Sequence, residues 1–199
     1  MILAIEYART ENIPYLGICL GSQLMAIEFA RNVLNYSDAT SEEFDSEYIS
    51  KHHIVHIMED QKNISEKGGT MRLGIYDCVL KEGSKVEELY KKGVIVHSEG
   101  SPLGGRNEAI HQTQDMDRHA SLAMTTERHR HRYEFNNLYR SEFEKNGFII
   151  SGTSPDGSLV EMVELNNHPF MIATQAHPEF KSRPTRPHPL MMGFVGACI

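Results

Sequence analysis

The hydrophobic residues of this chain keep two rhythms, and the change from one to the other falls at a cysteine set between glycines. Tyr15, Leu16 and Ile18 make a short apolar run of the kind a buried parallel strand shows. After the turn the apolar residues return at three- and four-residue steps, Leu20, Leu24, Ile27 and Leu34 with Arg31 in the same series, which predicts a helix over residues 20–34. Residues 1–12 read as the end of a helix with Leu3, Ala4, Tyr7 and Ala8 on one face. A parallel strand is normally buried between neighbours, so further strands are expected ahead of residue 1.

Downstream, residues 35–41 read as a polar loop, 54–58 as a short strand and 61–69 as a loop ending in Gly68-Gly69. Residues 70–73 and 76–80 alternate well enough for a hairpin or two strands, and 86–91 suggest one or two helical turns. Order resumes at 127–136. Residues 138–145 read as helix, 148–151, 159–165 and 170–175 as strands, with a turn at 154–157. This alternation predicts an α/β domain, a largely parallel sheet flanked by helices and carrying some antiparallel hairpins. Residues 98–126 break the pattern. They are rich in Ser, Gly, His, Asp and Gln, and read as a long, mobile surface insertion within one domain spanning 1–199.

Composition narrows the class. A chain of 199 residues with 40% apolar and 24% charged residues is an ordinary globular domain. A net charge of −7 with no basic stripe argues against a nucleic-acid partner. No apolar run approaches membrane-spanning length. Three cysteines, Cys19, Cys78 and Cys198, make no spaced framework, which predicts a reducing, cytoplasmic setting. Cys78 reads as a buried apolar filler. His52, His53 and His56 could grip a metal by spacing, but no cysteine or carboxylate pattern supports it, and no metal is expected.

The chemistry centres on Gly17-Ile18-Cys19-Leu20-Gly21. Strand, tight turn and helix with a nucleophile at the turn is a nucleophile elbow, here with cysteine. A β-carbon at either glycine is expected to collide with the neighbouring strand or helix. The helix head is expected to favour the thiolate. A cysteine nucleophile needs a base and a group to orient it. His177, at a strand end, with Glu179 beyond Pro178, is the candidate pair, because the carboxyl ends of sheet strands share one edge with the elbow.

The elbow residues 17–23, with His177-Pro178-Glu179, resemble the class I (triad) glutamine amidotransferases. Within them the chain is similar to the glutaminase domain of CTP synthase. Gly68-Gly69-Thr70-Met71-Arg72-Leu73-Gly74, Glu127-Arg128-His129-Arg130-His131-Arg132-Tyr133-Glu134 and His168-Pro169-Phe170 carry that match, which spans nearly everything but residues 98–126.

The resemblance implies a flavodoxin-like fold and three catalytic residues: Cys19 as nucleophile on the side-chain amide of L-glutamine, His177 as base and then acid, and Glu179 as its orienting partner. It implies that the N–H of Leu20 faces the oxyanion, that Leu20, Gly21, Ser22 and Gln23 line the glutamine site, that Glu43 takes the substrate ammonium, and that Arg132 helps hold substrate. No cofactor is implied for this domain. ATP and Mg belong to an amidoligase (synthase) domain, normally in the same chain of a homo-oligomer, which converts UTP to CTP. The family's earlier strands, its Gly-rich oxyanion loop and that domain are not in this sequence, so 1–199 is expected to be a fragment, the product of a truncated gene or one piece of a longer protein. Two rivals stay open: an inactive fragment serving as a binding or assembly module, and a hydrolase of other γ-glutamyl amides. Taken alone, 127–134 reads as a solvated charged strand, and Arg128 and Arg130 as structural or interface residues.

Overall fold

The computed structural model describes residues 1–58, 71–98 (backbone only over 94–98) and 124–199. Helix α1 (Ile2–Thr10), strand β1 (Tyr15–Ile18) and helix α2 (Leu20–Asn32) lie where the apolar spacing predicts them. The buried face of α1 does not. Ile5 and Ala8 are inside, whereas Leu3 and Tyr7 are exposed. The reason is Arg9, which shares the Ile5–Ala8 face and reaches the fully buried Glu28 of α2, with Nη2 2.8 Å and Nε 3.0 Å from its carboxylate. That ion pair sets which side of α1 meets α2.

The remaining elements are β2 (Thr40–Ser41), β3 (His53–Ile57), β4 (Arg72–Leu80), α3 (Lys85–Ser98), β5 (Met124–His131), β6 (Tyr133–Phe135), α4 (Arg140–Lys145), β7 (Phe148–Thr153), β8 (Val160–Leu165), β9 (Met171–Thr174) and α5 (Pro189–Ala197). Three depart from expectation. The end of the polar loop pairs as β2. The two short strands expected across 70–80 are one strand, β4, with Gly74 at φ 122° in its path. Helix α3 runs 14 residues rather than one or two turns. Its start is held by a distant residue: the buried Glu164 carboxylate accepts the N–H groups of Lys85 and Val86, both at 3.0 Å. An anion on free N–H groups at a helix head is stabilising. The loop expected at 61–69, and nearly all of 98–126 with His111 and His119, lie outside the described residues.

The α/β class holds, but the sheet is mixed. Six strands run in the order β1-β9-β8-β7-β4-β5, and among them only β1 and β9 are parallel. The pairs β9–β8, β8–β7, β7–β4 and β4–β5 are antiparallel. The expectation of a largely parallel sheet is thus corrected. The connections from β7 to β8 and from β8 to β9 are hairpin-length, and a parallel pairing would need a crossover of a dozen residues or more. A second sheet of order β2-β3-β6 sits alongside.

Apolar residues cover the large sheet on both faces. One core joins α1 and α2 to β1, β7, β8 and β9 around Phe29, Phe135, Phe143 and Phe148. The other packs Val86, Leu190, Phe170 and Ile172 against Cys78 and Met162. Burial from both sides explains why every residue of β8 is inside. Strand β5 is the surprise. Its Glu127, His129 and His131 are buried while Arg128 and Arg130 face out. The solvated reading of this strand is therefore wrong for one face. Those polar side chains find partners inside: Glu127 pairs with His188 at 3.2 Å and Tyr90 at 2.7 Å, and His129 with His131 at 3.1 Å. Among the described residues no helix is long and apolar enough to cross a membrane.

Candidate active site

Cys19 stands between the last residue of β1 and the first of α2, at φ 50° and ψ −102°. A side chain in that region costs on the order of 1–3 kcal/mol and persists only where the surroundings enforce it. Here they do. The Cys19 N–H donates to the Thr174 carbonyl of β9 at 2.8 Å, while its own carbonyl accepts from Ser22 N–H at 3.0 Å. The sharp reversal requires a bare α-carbon at Gly17. A β-carbon there would lie 2.8 Å from Ala173 Cβ and 2.9 Å from the Gly21 backbone. At Gly21 the expectation is only half met, since the nearest atom is the Tyr15 hydroxyl at 3.3 Å, a tight approach and no collision with a strand or helix.

The parallel register of β1 and β9 pairs Ile18 with Thr174. Cys19 and the residues after Thr174 therefore emerge on one sheet edge. His177 follows there and is anchored by its N–H to the Arg128 carbonyl of β5 at 2.8 Å. The Arg128 guanidinium lies over the Phe180 ring, which also packs on His177. A short 3-10 turn, Pro178–Phe180, brings Glu179 round so that its Oε1 lies 2.6 Å from His177 Nδ1. The other ring nitrogen, Nε2, is buried and has no hydrogen-bond partner among the described residues. A carboxylate on Nδ1 fixes a proton there and leaves Nε2 as the basic nitrogen.

The environment of the Cys19 thiol opposes the helix head. Burial pushes its pKa up, and the carboxylates of Glu179 and Glu43 push the same way. The Leu20 N–H at the helix head and the Gln175 side chain pull it down, but do not outweigh the rest. The helix head does favour the thiolate as expected; desolvation is larger.

The predicted substrate residues separate into three groups. Leu20, Gly21 and Ser22 form the first turn of α2 directly beyond Cys19. Glu43 is exposed on a 3-10 turn, Glu42–Phe44, and its charge reaches both Cys19 and Tyr133. Arg132 lies between β5 and β6, its carbonyl accepting from Met58 N–H at 3.1 Å. Gln23 is different, being buried with its amide committed. Its Nε2 donates to the Tyr133 carbonyl at 3.0 Å and to Gln175 Oε1 at 3.1 Å, and only Gln23 Oε1 is left for a substrate.

Gln175 is the residue that sequence reasoning passed over. It is buried, with Nε2 3.6 Å from the Cys19 sulfur. The signal available was only its place, two residues before His177 and directly after the strand β9. Of the histidines considered for metal, His52 pairs with Asp38 and His53 with Asp45, at 2.6 and 2.8 Å, and His56 lies 3.8 Å from Glu134. No group of three or more ligating side chains occurs among the described residues.

A strained cysteine at a strand-to-helix turn, on the same edge of an α/β sheet as a carboxylate-tied histidine, is the arrangement of a triad amidotransferase. The family profile described as Glutamine amidotransferase class-I matches residues 1–197, and the chain belongs to that family. Among individual proteins it is 46% identical over 198 residues to the CTP synthase of Bacillus subtilis, covering 100% of this chain and 31% of that protein. It is 50% identical to the CTP synthase of Fibrobacter succinogenes, over 98% of this chain and 30% of that protein. The solved glutaminase domain of Trypanosoma brucei CTPS with bound acivicin superposes with a TM-score of 0.76 at 35% identity, covering 99% of this chain and 64% of that one. The chain thus spans about a third of the length of the curated relatives it matches.

Proposed function

We propose that this chain is the glutamine-hydrolysing part of a CTP synthase. Cys19 gives its proton to His177 Nε2 and attacks the side-chain amide carbon of L-glutamine. The Leu20 N–H donates to the developing oxyanion. Collapse of the tetrahedral intermediate breaks the carbon–nitrogen bond, and the imidazolium returns the proton to the departing ammonia. A γ-glutamyl thioester remains on Cys19. Water, deprotonated by His177, releases glutamate. Glu43 and Arg132 are proposed to hold the ammonium and carboxylate of the substrate, a division that suits a zwitterion.

The observation that carries this reading is the state of His177, one nitrogen tied to Glu179 at 2.6 Å and the other buried with no partner among the described residues, on the edge where Cys19 leaves β1. The proposed hydrolysis calls on no cofactor in this domain. ATP and Mg are proposed to act on the amidoligase domain, where the ammonia converts UTP to CTP. The three cysteines are free, which suits the cytoplasm, and a homo-oligomer completes the reading.

In the full-length protein, Cys19→Ala is expected to abolish glutamine-dependent CTP formation and to spare the reaction fed with free ammonia. Loss of both, or of neither, counts against the proposal. A raised thiol pKa at Cys19 favours a second reading, an inert binding module. Acivicin separates the two: covalent labelling of Cys19 supports the enzyme, and a folded protein that resists labelling supports the module.

A further inference from the structure

A chain of hydrogen bonds with a fixed direction runs into the nucleophile from behind. It starts at the Tyr133 carbonyl, which can only accept. Two groups donate to it, His131 Nδ1 at 3.0 Å and Gln23 Nε2 at 3.0 Å. A carbonyl has two lone pairs, so both bonds fit. Because the Gln23 atom facing that carbonyl must be the NH₂ group, the orientation of the Gln23 amide is settled by chemistry. Its second proton goes to Gln175 Oε1 at 3.1 Å. The Gln175 amide is thereby settled too: its oxygen faces Gln23 and its NH₂ faces the Cys19 sulfur at 3.6 Å. Both glutamines are buried, at 7% and 3% exposure. Neither amide can turn without stranding a polar group. The Gln175 backbone is equally held, its N–H donating to the Glu161 carbonyl at 2.8 Å.

We propose that Gln175 is a catalytic residue that donates its side-chain N–H to the Cys19 sulfur and steadies the thiolate, with Gln23 and the Tyr133 carbonyl positioning it. A neutral thiol is a weak acceptor, whereas a thiolate accepts a charge-assisted bond of roughly twice the strength of a neutral one. A donor fixed at the sulfur therefore favours the charged, nucleophilic form. That help matters at this sulfur. The carboxylates of Glu179 and Glu43 act on it unfavourably, and the donors beside it are the Leu20 N–H and Gln175. The inference rests on the reading of Cys19 as the nucleophile. It gives Gln23 a different task from lining the substrate pocket.

The test measures the alkylation rate of Cys19 by iodoacetamide against pH in the full-length protein, read by peptide mass spectrometry. Iodoacetamide is small and neutral, so it reports thiolate content without needing the glutamine site. Gln175→Leu keeps most of the volume and removes the donor. The expected result is an upward shift of the Cys19 titration midpoint by about one unit, hence about tenfold slower labelling below the midpoint. Gln23→Met frees the Gln175 amide to turn and is expected to shift the midpoint the same way by less. An unchanged midpoint in Gln175→Leu, with Cys19 still labelled, overturns the inference. Should that variant unfold, seen as labelling of the buried Cys78, the Gln23→Met midpoint decides, and no shift there overturns it as well. A failure of the underlying reading looks different: glutaminase activity that survives Cys19→Ser.

Discussion

Lowering the pH from 7 to 5 should loosen the sheet around β4 and β5, because the fold keeps two histidines neutral there. His129 and His131 are 2% and 5% exposed. Burial above all, and then the Arg72 guanidinium, pulls their pKa values from 6.5 down to about 2 and about 4. In the opened chain an ordinary histidine takes up a proton as the pH drops through about 6.5. The folded ones do not follow until far lower. The opened state therefore binds more protons in this window, so stability is complete above the unfolded value and falls as the pH falls toward the folded ones. Between pH 7 and 5 that difference costs about 2 kcal/mol per histidine, or about 25-fold in the opening constant. Glu161, 3.4 Å from His129 Nε2, works in the opposite sense. Burial raises its carboxyl pKa, so its penalty is relieved on acidification. The sum of the two histidines, about 4 kcal/mol, is an upper bound. Cys78 offers the assay. It is fully buried on β4 and pairs with Thr125 of β5. Its alkylation rate in the native full-length protein, normalised at each pH to the unfolded chain, reports opening of this region. Acidification from pH 7 to 5 should raise the normalised rate by up to several hundredfold. His131→Gln retains an amide that can donate to the Tyr133 carbonyl but cannot titrate, and should remove about 25-fold of the rise. Flat protection across the window, or the same slope in the wild type and the variant, refutes the reasoning.

Three further outcomes follow from the same geometry. Gly17→Ala should cost about 1–3 kcal/mol of stability through overpacking and sharply slow acivicin labelling of Cys19, since its β-carbon would press on Ala173 and the Gly21 backbone; an unchanged melting temperature contradicts this. Arg9→Met should cost about 3–5 kcal/mol by leaving the buried Glu28 carboxylate without its ion-pair partner, and the double change with Glu28→Leu should recover much of the loss in thermal unfolding. Glu179→Gln should keep a hydrogen-bond partner for His177 Nδ1 but remove the charge that stabilises the imidazolium, lowering glutamine turnover by about 10–100-fold with KM little changed; full activity speaks against its role.

Some of the site was legible because its chemistry is local. The elbow needs a glycine before the cysteine, and that need appears as adjacent letters. Glu179 reaches His177 across one proline, again within a few residues. The strand of Tyr15–Ile18 and the helix beyond it follow from apolar spacing alone. Strand direction was not legible in that way. Periodicity reports that a strand is buried, and β8 is buried on both faces whichever way its neighbours run. Hairpin-length connections make those neighbours antiparallel, and their length is settled only once strand ends are known. Glu164, far along the chain, holds the first N–H groups of helix α3, a contact that no local pattern announces.

The sequence by itself picked out Cys19 as candidate nucleophile, His177 as candidate base and Glu179 as its candidate orienting carboxylate, since each is tied to a turn encoded within a few residues. Only the tertiary structure decided that Gln175 stands at the sulfur, that Gln23 is locked behind it, and that the histidines of β5 point inward. Those facts depend on which strands lie side by side. Burial and hydrogen-bond direction belong to the packed sheet, and two glutamines 152 positions apart show their relation only when β9 brings one of them to the head of α2.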